Sequence, residues 1–484
     1  MRSVIQEFGQ VELVRHPLVV VRGLPGAQIG EVVQFSNGVY GQVFSLNRDS
    51  VDILVFAAQS LRVGETVTRL GHALLISLAA SVTGKILTPL TTIEQASTTG
   101  RAIDTPPQEL KLRRRITQPL TTGISIVDVV LPLGKGQRQL LVGDRKSGKT
   151  TFALQLSTAQ VQNGAVVVYA VIGKLQSEIK KIQAIVTAKG IADSVTLVAS
   201  AADDPPSVIY QTPFVAMAIA EYLNSLGKDV VVILDDLTTH AKYYREISLI
   251  GKRFPGRDSY PGDIYFTHAR LLERGGCFSH QSQPETGVAI TCLPMAESSD
   301  ADLTDFIVSN LISMTDGHLL FDSMIFAQGH RPAIHPGLSV TRVGKQTQTL
   351  LQRDLTHKVT SFINLYQKTI SLTHFGAELT GTAKTILSRG DALFTFLDQP
   401  KDAIYASNVL VLLSTAVMLD WFSHSSSEEI VAARTTLQAR YTNEGAVRTQ
   451  VDTLLAKTKT LAELTTVLTN TRPAITQLWQ PLKQ

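Results

Sequence analysis

Cysteine is nearly missing from this chain: Cys277 and Cys292 are the two in 484 residues. Two thiols build neither a metal cage nor a disulfide framework, so the reading favours a reducing compartment. Charge is sparse as well. Charged residues make up 18% of the sequence and the net charge is +4, which indicates neither an acidic tail nor a nucleic-acid groove. The one dense basic run, "KLRRR" from Lys111 to Arg115, reads as a solvated connector. Long apolar runs are missing too. The most apolar stretch, "VLVLLSTAVML" from Val409 to Leu419, falls well short of the roughly 20 residues of a membrane helix, so any work at a membrane is expected to go through partners. The opening "MRSVIQEFGQVEL" has no apolar segment of signal-peptide length, and secretion is not expected.

What remains is a chain with much to bury. Apolar residues make up 44% of it and its mean hydropathy is slightly positive, which excludes a disordered chain and fits a folded protein with extensive interior or interface. Its length implies about three domains. Residues 1–80 alternate short β-branched runs with Gly and Asn punctuation, the signature of a small antiparallel β-barrel, with "SNG" at Ser36 to Gly38 as the sharpest hairpin cue. Residues 81 to about 115 are polar and Pro-bearing and read as a surface connector. They open a second domain over 81–352, where "RQLLVG", "AVVVYAVIG", "SVTLVA", "DVVVILDD", "GVAITCLP" and "GHLLFD" alternate with helical patterns. Such near-continuous apolar strands predict a mainly parallel, RecA-like α/β fold. Residues 353–484 carry apolar positions at helical spacing and predict an α-helical bundle. The fold class is therefore multidomain: barrel, phosphate-loop α/β domain, helical bundle.

Within the second domain "GDRKSGKTT" fits the phosphate-loop pattern: Gly143, then Asp144, Arg145, Lys146 and Ser147, then Gly148, Lys149 and Thr150, with Thr151 in the helix that follows. It lies between a strand-like and a helix-like segment, so backbone N–H groups and a helix N-terminus face one anion. Lys149 would reach the β and γ phosphates and the Thr150 hydroxyl would ligate Mg2+. The competing reading is a Gly-rich turn that binds nothing. Against it stands "DVVVILDDL": Asp235 at the end of an aliphatic strand is the expected acid of the metal shell, and Asp236 the cap of the next segment. Together they predict an ATP or ADP site with Mg2+.

Hydrolysis needs more, usually a carboxylate that orients the attacking water. In ring ATPases of the RecA type it follows the strand after the phosphate-loop helix. Here that position is Lys174, whose ammonium has no lone pair with which to take a proton and would pair with a γ phosphate. Two other readings stay open: an exposed lysine opening a helix, and replacement of the carboxylate by Glu178 one turn on.

Longer stretches then carry a resemblance. "PLTTGISIVDVVLPLGKGQRQLLVGDRKSGKTT", "GRDSYPGDIYFTHARLLERGG", "SNLISMTDGHLLFD", "GHRPAIHPGLSVTRVGKQTQ" and "HFGAELTGTAKTILSRG" are similar to the alpha-subunit family of F-type ATP synthases. The resemblance implies a non-catalytic, regulatory nucleotide-binding subunit that alternates with catalytic beta-type subunits around a gamma-type shaft, with a peripheral stalk or delta-type subunit less certain. It implies a peripheral place on the cytoplasmic face of the cell membrane. It also implies that Glu297 is an acid close to the metal, that Arg331, Pro332 and Gln399 line an adenine pocket, and that Arg342, with Ser339 and Ser313, faces the neighbour's active site. Taken by itself, Arg342 reads equally as an ion-paired strand residue. The family usually has Gln at Lys174 and a helical arm before the barrel pattern, and its C-terminal helices are more polar. Altered stalk partners are the expectation. A self-sufficient homo-hexameric motor ATPase of the export or Rho type is the alternative. For Rho, the aromatics Phe8, Phe35, Tyr40, Phe44 and Phe56 are spaced like core positions rather than an RNA-binding face.

Overall fold

The computed structural model describes residues 7–57, 61–78, 82–90, 100–374 and 381–480; residues 1–6 of the opening stretch, 91–99 of the connector and 375–380 of the "HFGAELTG" stretch lie outside them. The chain divides into two compact units, one of residues 1–114, 164–297 and 302–315, the other of 115–163, 298–301 and 316–484.

The first unit opens with the barrel. Its strands are β1 (Phe8–Arg15), β2 (Leu18–Arg22), β3 (Glu31–Phe35), β4 (Tyr40–Leu46), β5 (Val51–Val55) and β6 (Thr66–Ala73), closed in the order β1-β2-β5-β4-β3-β6. Alternation fills its interior with Val19, Val21, Val33, Phe35, Val43, Ile53 and Val67. Leu18 and Leu54 point the other way and pack on Ile247. The Ser36–Gly38 hairpin is present, with φ +87° at Gly38 alone; Asn37 instead accepts the Val39 N–H at 3.1 Å. Of the aromatics read as core, Phe35 and Phe56 are buried and Tyr40 and Phe44 half-buried, but Phe8 is 59% exposed.

The same unit holds a parallel sheet in the order Gln283–Glu297, Val230–Asp235, Val166–Lys174, Val195–Ala201 and Ile86–Leu87. The central strands are buried on both faces, as their unbroken aliphatic runs require. The connector does more than cross the surface. It supplies the Ile86–Leu87 edge, and Arg101 joins Arg274 on the buried Glu221 carboxylate, at 3.2 and 2.8 Å. "KLRRR" departs from the solvated reading: Arg113 and Arg114 pair with Phe278 and Cys277, Arg113 lies over the Phe278 ring, and Arg114 donates to the Ser279 hydroxyl at 3.0 Å. Guanidiniums this well supplied with partners are structural.

In the second unit Leu140–Gly143 runs parallel to Gly317–Phe321, which Val340–Thr341 joins antiparallel. Among the described residues six helices follow, Leu350–His374, Gly381–Leu397, Ser407–Met418, Ser427–Asn443, Gly445–Lys457 and Leu461–Thr476. Ser407–Met418 is buried all round from Val409 to Met418, the environment that its continuous apolar sequence demands. No helix among the described residues is long and apolar enough to cross a membrane.

Candidate nucleotide site

In the second unit the strand Leu140–Gly143 leads through the loop into the helix Lys149–Gln162. Gly143 is obligate, because a Cβ there would lie 2.2 Å from the Phe321 carbonyl oxygen, and Gly148 takes φ +102° at the helix N-cap. The buried Lys149 folds over the loop and donates to the carbonyls of Gly143 at 2.6 Å and Asp144 at 2.7 Å. Ser147 Oγ donates to the same Asp144 carbonyl at 2.7 Å. The Asp144 carboxylate clamps the loop from outside: it accepts from Ser298 Oγ at 3.2 Å, the Ala301 N–H at 3.0 Å and Ser323 Oγ at 2.8 Å. Burial pushes its pKa up, but these donors and the Lys149 charge outweigh that and hold it below the usual value. Arg145, Lys146 and Thr151 are exposed, and Thr150 is half-buried in the first helical turn. Orphan N–H groups of a helix start, a lysine and short hydroxyl side chains are what a polyphosphate requires.

Beside the loop stands Phe326, whose ring is 4.0 Å from where a Gly148 Cβ would be. The Arg331 guanidinium lies 3.4 Å from the centroid of that ring and donates to the carbonyls of Phe326 and His330, both at 2.7 Å. Arg331, Pro332 and Gln399 are brought together, since the Gln399 N–H donates to the Arg331 carbonyl at 2.6 Å. The Gln399 side chain, however, turns inward. Its Oε1 accepts from Ser125 N at 2.8 Å and Ser125 Oγ at 2.9 Å, and its Nε2 donates to Gly123 O at 2.8 Å and Ala403 O at 2.7 Å. A buried primary amide with both ends so engaged braces the segments at Gly123, Ser125 and Ala403 and has no free edge for a base.

The acids lie in the first unit. Parallel register sets Val171 beside Asp235, and three residues on Lys174 ends the strand Val166–Lys174. It neither opens the next helix nor stands exposed. Its ammonium lies 3.1 Å from Asp235 Oδ1 and 2.7 Å from Asp236 Oδ2. Burial pulls the lysine pKa down, but the two carboxylates outweigh it and hold it well above its ordinary value. Asp235 also accepts the Tyr169 hydroxyl at 2.9 Å, and Asp236 caps the helix Leu237–Ile250 through Thr239 N at 2.6 Å. Glu297, half-buried, ends its strand with its N–H on Thr238 Oγ1 at 3.0 Å, and Glu178 is exposed on its helix. Among the described residues no three His, Cys, Asp or Glu side chains converge as a metal cage. With an ammonium already on Asp235, that carboxylate does not fit as the holder of a divalent ion. Sequence reasoning missed Tyr169 and the double capture of Lys174. The available signal was a tyrosine in a buried aliphatic strand, whose hydroxyl needs a partner.

Arg342 follows Val340–Thr341 with its backbone pinned, its N–H donating to Asp316 O at 2.9 Å. Its side chain is exposed and makes no ion pair or hydrogen bond among the described residues, which removes the ion-paired reading. Ser339 is buried and its Oγ accepts from Leu320 N at 3.0 Å, tying Arg342's strand to its neighbour. Ser313 is exposed, with its hydroxyl on Asn310 O at 2.6 Å, in the other unit.

Residues 123–341 match the ATP synthase alpha/beta family, nucleotide-binding domain. The chain is 32% identical to "ATP synthase subunit alpha 2" of Nitrosospira multiformis over 90% of its own length and 86% of that protein's. It is 32% identical to "ATP synthase subunit alpha 1" of Pseudoalteromonas atlantica, over 85% and 79%. It is 34% identical to "ATP synthase subunit alpha" of Anaplasma marginale, over 81% and 79%.

Proposed function

The chain belongs to the ATP synthase alpha-subunit family, and from that premise we propose that it is the non-catalytic, nucleotide-holding subunit of an F-type rotary complex. It alternates with catalytic beta-type subunits around a gamma-type shaft, reaches the cytoplasmic face of the membrane through partners, and takes part in proton-coupled ATP synthesis or hydrolysis. The observation that supports this reading is Lys174, held by Asp235 and Asp236 at the end of the strand after the loop helix, the sequence position at which ring ATPases of the RecA type carry a carboxylate. A protonated ammonium takes no proton, so the chain's own site holds ATP or ADP and leaves it intact. The loop Gly143 to Thr150 would hold the phosphates, with Lys149 supplying charge. The Phe326 and Arg331 wall, with Pro332 beside it and Gln399 behind, would flank the base. The Thr150 hydroxyl is the group of the loop that an Mg2+ ion on the nucleotide would approach.

Arg342 acts elsewhere in this reading. An exposed, unpaired guanidinium on a fixed backbone is suited to a phosphoryl group in the adjacent beta-type site, where such an arginine contributes about 10³ to 10⁵ in rate. The test is ATP turnover by the chain alone and with its beta-type partner, for wild type, Lys149→Ala and Arg342→Ala. The isolated chain should be inactive and the complex should lose its rate with Arg342→Ala alone. Substantial turnover by the isolated chain, or a complex indifferent to Arg342, overturns the reading.

A further inference from the structure

We infer that Arg138 is a positioning residue for the reaction in the neighbouring beta-type site: by holding both carboxylate oxygens of Asp316, it leaves Arg342 without a partner in its own chain. The role rests on the reading of Arg342 given above.

Three charged residues stand in a row across three strands of the second unit. Leu140 lies beside His318 in the parallel pair and Gly317 beside Thr341 in the antiparallel one, so Arg138, Asp316 and Arg342 share one level at the same end of the sheet. Backbone hydrogen bonds join them. The Asp316 N–H donates to Arg138 O at 2.7 Å, and the Arg342 N–H donates to Asp316 O at 2.9 Å. An acid between two arginines can serve either, and here it serves one. Arg138 Nη2 donates to Asp316 Oδ1 at 2.8 Å, and Arg138 Nε and its main-chain N–H donate to Oδ2 at 3.2 and 2.9 Å. The Arg342 side chain stays exposed.

Solvent and geometry decide the choice. The Arg138 and Asp316 side chains are 25% and 17% exposed, and a forked guanidinium on a carboxylate gains more there than an arm in open water. The main-chain N–H adds a hold that Arg342 cannot copy. Without the Arg138 guanidinium, Asp316 keeps its charge and loses two of these three donors. An arginine whose own N–H is bonded to that residue's carbonyl has a side chain long enough to reach its carboxylate. The strand cannot draw away, since Gln139 Nε2 holds the Val340 carbonyl at 3.0 Å and Thr341 Oγ1 holds the Pro132 carbonyl at 2.8 Å. The freed acid then captures Arg342, and the phosphoryl group next door loses its guanidinium.

Two measurements test this: phenylglyoxal labelling of Arg342 in the full-length chain, read by peptide mass, and ATP turnover of the complex with its beta-type partner. Arg138→Leu should lower both the labelling rate and turnover by about fivefold or more, and Asp316→Asn should leave both within about twofold of wild type. The double variant Arg138→Leu/Asp316→Asn should return both to that twofold range, which a merely structural ion pair does not predict. Arg138→Lys, which keeps a charge on the acid, should lie between wild type and Arg138→Leu, and it carries the comparison with Asp316→Asn if Arg138→Leu fails a thermal-unfolding check. Unchanged labelling or unchanged turnover in Arg138→Leu overturns this inference alone. So does a double variant as slow as Arg138→Leu. Turnover indifferent to Arg342→Ala overturns the reading of Arg342 as well.

Discussion

A Cβ on Gly344 would lie 1.6 Å from the carbonyl oxygen of Pro132, so at this point two backbone segments touch with no room for a side chain. Thr341 Oγ1 donates to the same carbonyl at 2.8 Å and accepts the Gly344 N–H at 3.2 Å. Gly344→Ala should therefore destabilise the protein by about 1–3 kcal/mol or more, read as a lower thermal midpoint. Arg342→Ala, two residues away on the exposed side, should leave the stability within about 0.5 kcal/mol of wild type while abolishing its effect on the partner's turnover. Arg342→Lys should recover little of that rate, because the planar fork is lost even though the charge stays.

Gln399 separates a brace from a base contact. Gln399→Leu removes the partners of Ser125, Gly123 and Ala403 in a buried setting and should cost about 1–3 kcal/mol of stability in urea unfolding. An unchanged unfolding midpoint with weakened nucleotide binding would instead place the side chain on the base.

The clamp on the phosphate loop makes a similar claim for Asp144. Asp144→Ala leaves Ser298, Ser323 and the Ala301 N–H without their acceptor and should weaken ATP binding while lowering stability by about 1–3 kcal/mol. Asp144→Asn, which keeps one acceptor oxygen, should fall between the two. Loop protection in hydrogen exchange is the direct measure.

A buried histidine pair gives the pH prediction. His240 Nε2 lies 3.0 Å from Tyr210 O, which can only accept, so Nε2 carries the proton and Nδ1 accepts from His268 Nε2 at 3.0 Å. Burial pulls His240 down to about 4 and His268 well below the usual value. Both stay neutral in the fold while the unfolded chain takes up protons below about 6.5. Stability is then fully present above pH 6.5 and is lost as pH falls from 6.5 toward 4, by up to about 1.4 kcal/mol per pH unit for each histidine. His268→Gln, which keeps a donor for His240, should flatten that slope between pH 7 and pH 5. An unaltered slope would assign the acid sensitivity to other groups.

The strand-loop-helix around Gly143–Lys149, the barrel and the helical end were legible because their signals are local: a glycine spacing, a two-residue alternation, an apolar stripe. Asp236 was legible as a cap for the same reason. The partner of Lys174 was not, since it depends on the register of two strands about sixty residues apart in sequence. Tyr169 escaped with it. That Gln399 lies against Arg331 follows from contacts distant in sequence, and the direction of its amide depends on a turn at Gly123 that no local pattern announces. The connector hid its strand Ile86–Leu87 and the Arg101 contact because two-residue strands and single ion pairs leave no periodicity to read.

The fixed backbone of Arg342 has a mechanical consequence. Its main chain is tied to Asp316 and its strand to Pro132 and Leu320, so the loop beneath it has little slack of its own. In the proposed assembly the guanidinium would then travel as the tip of a rigid lever. A displacement of this unit by an ångström would reach the neighbour's phosphoryl group almost undiminished, and the chemistry next door would become a gauge of where this subunit stands.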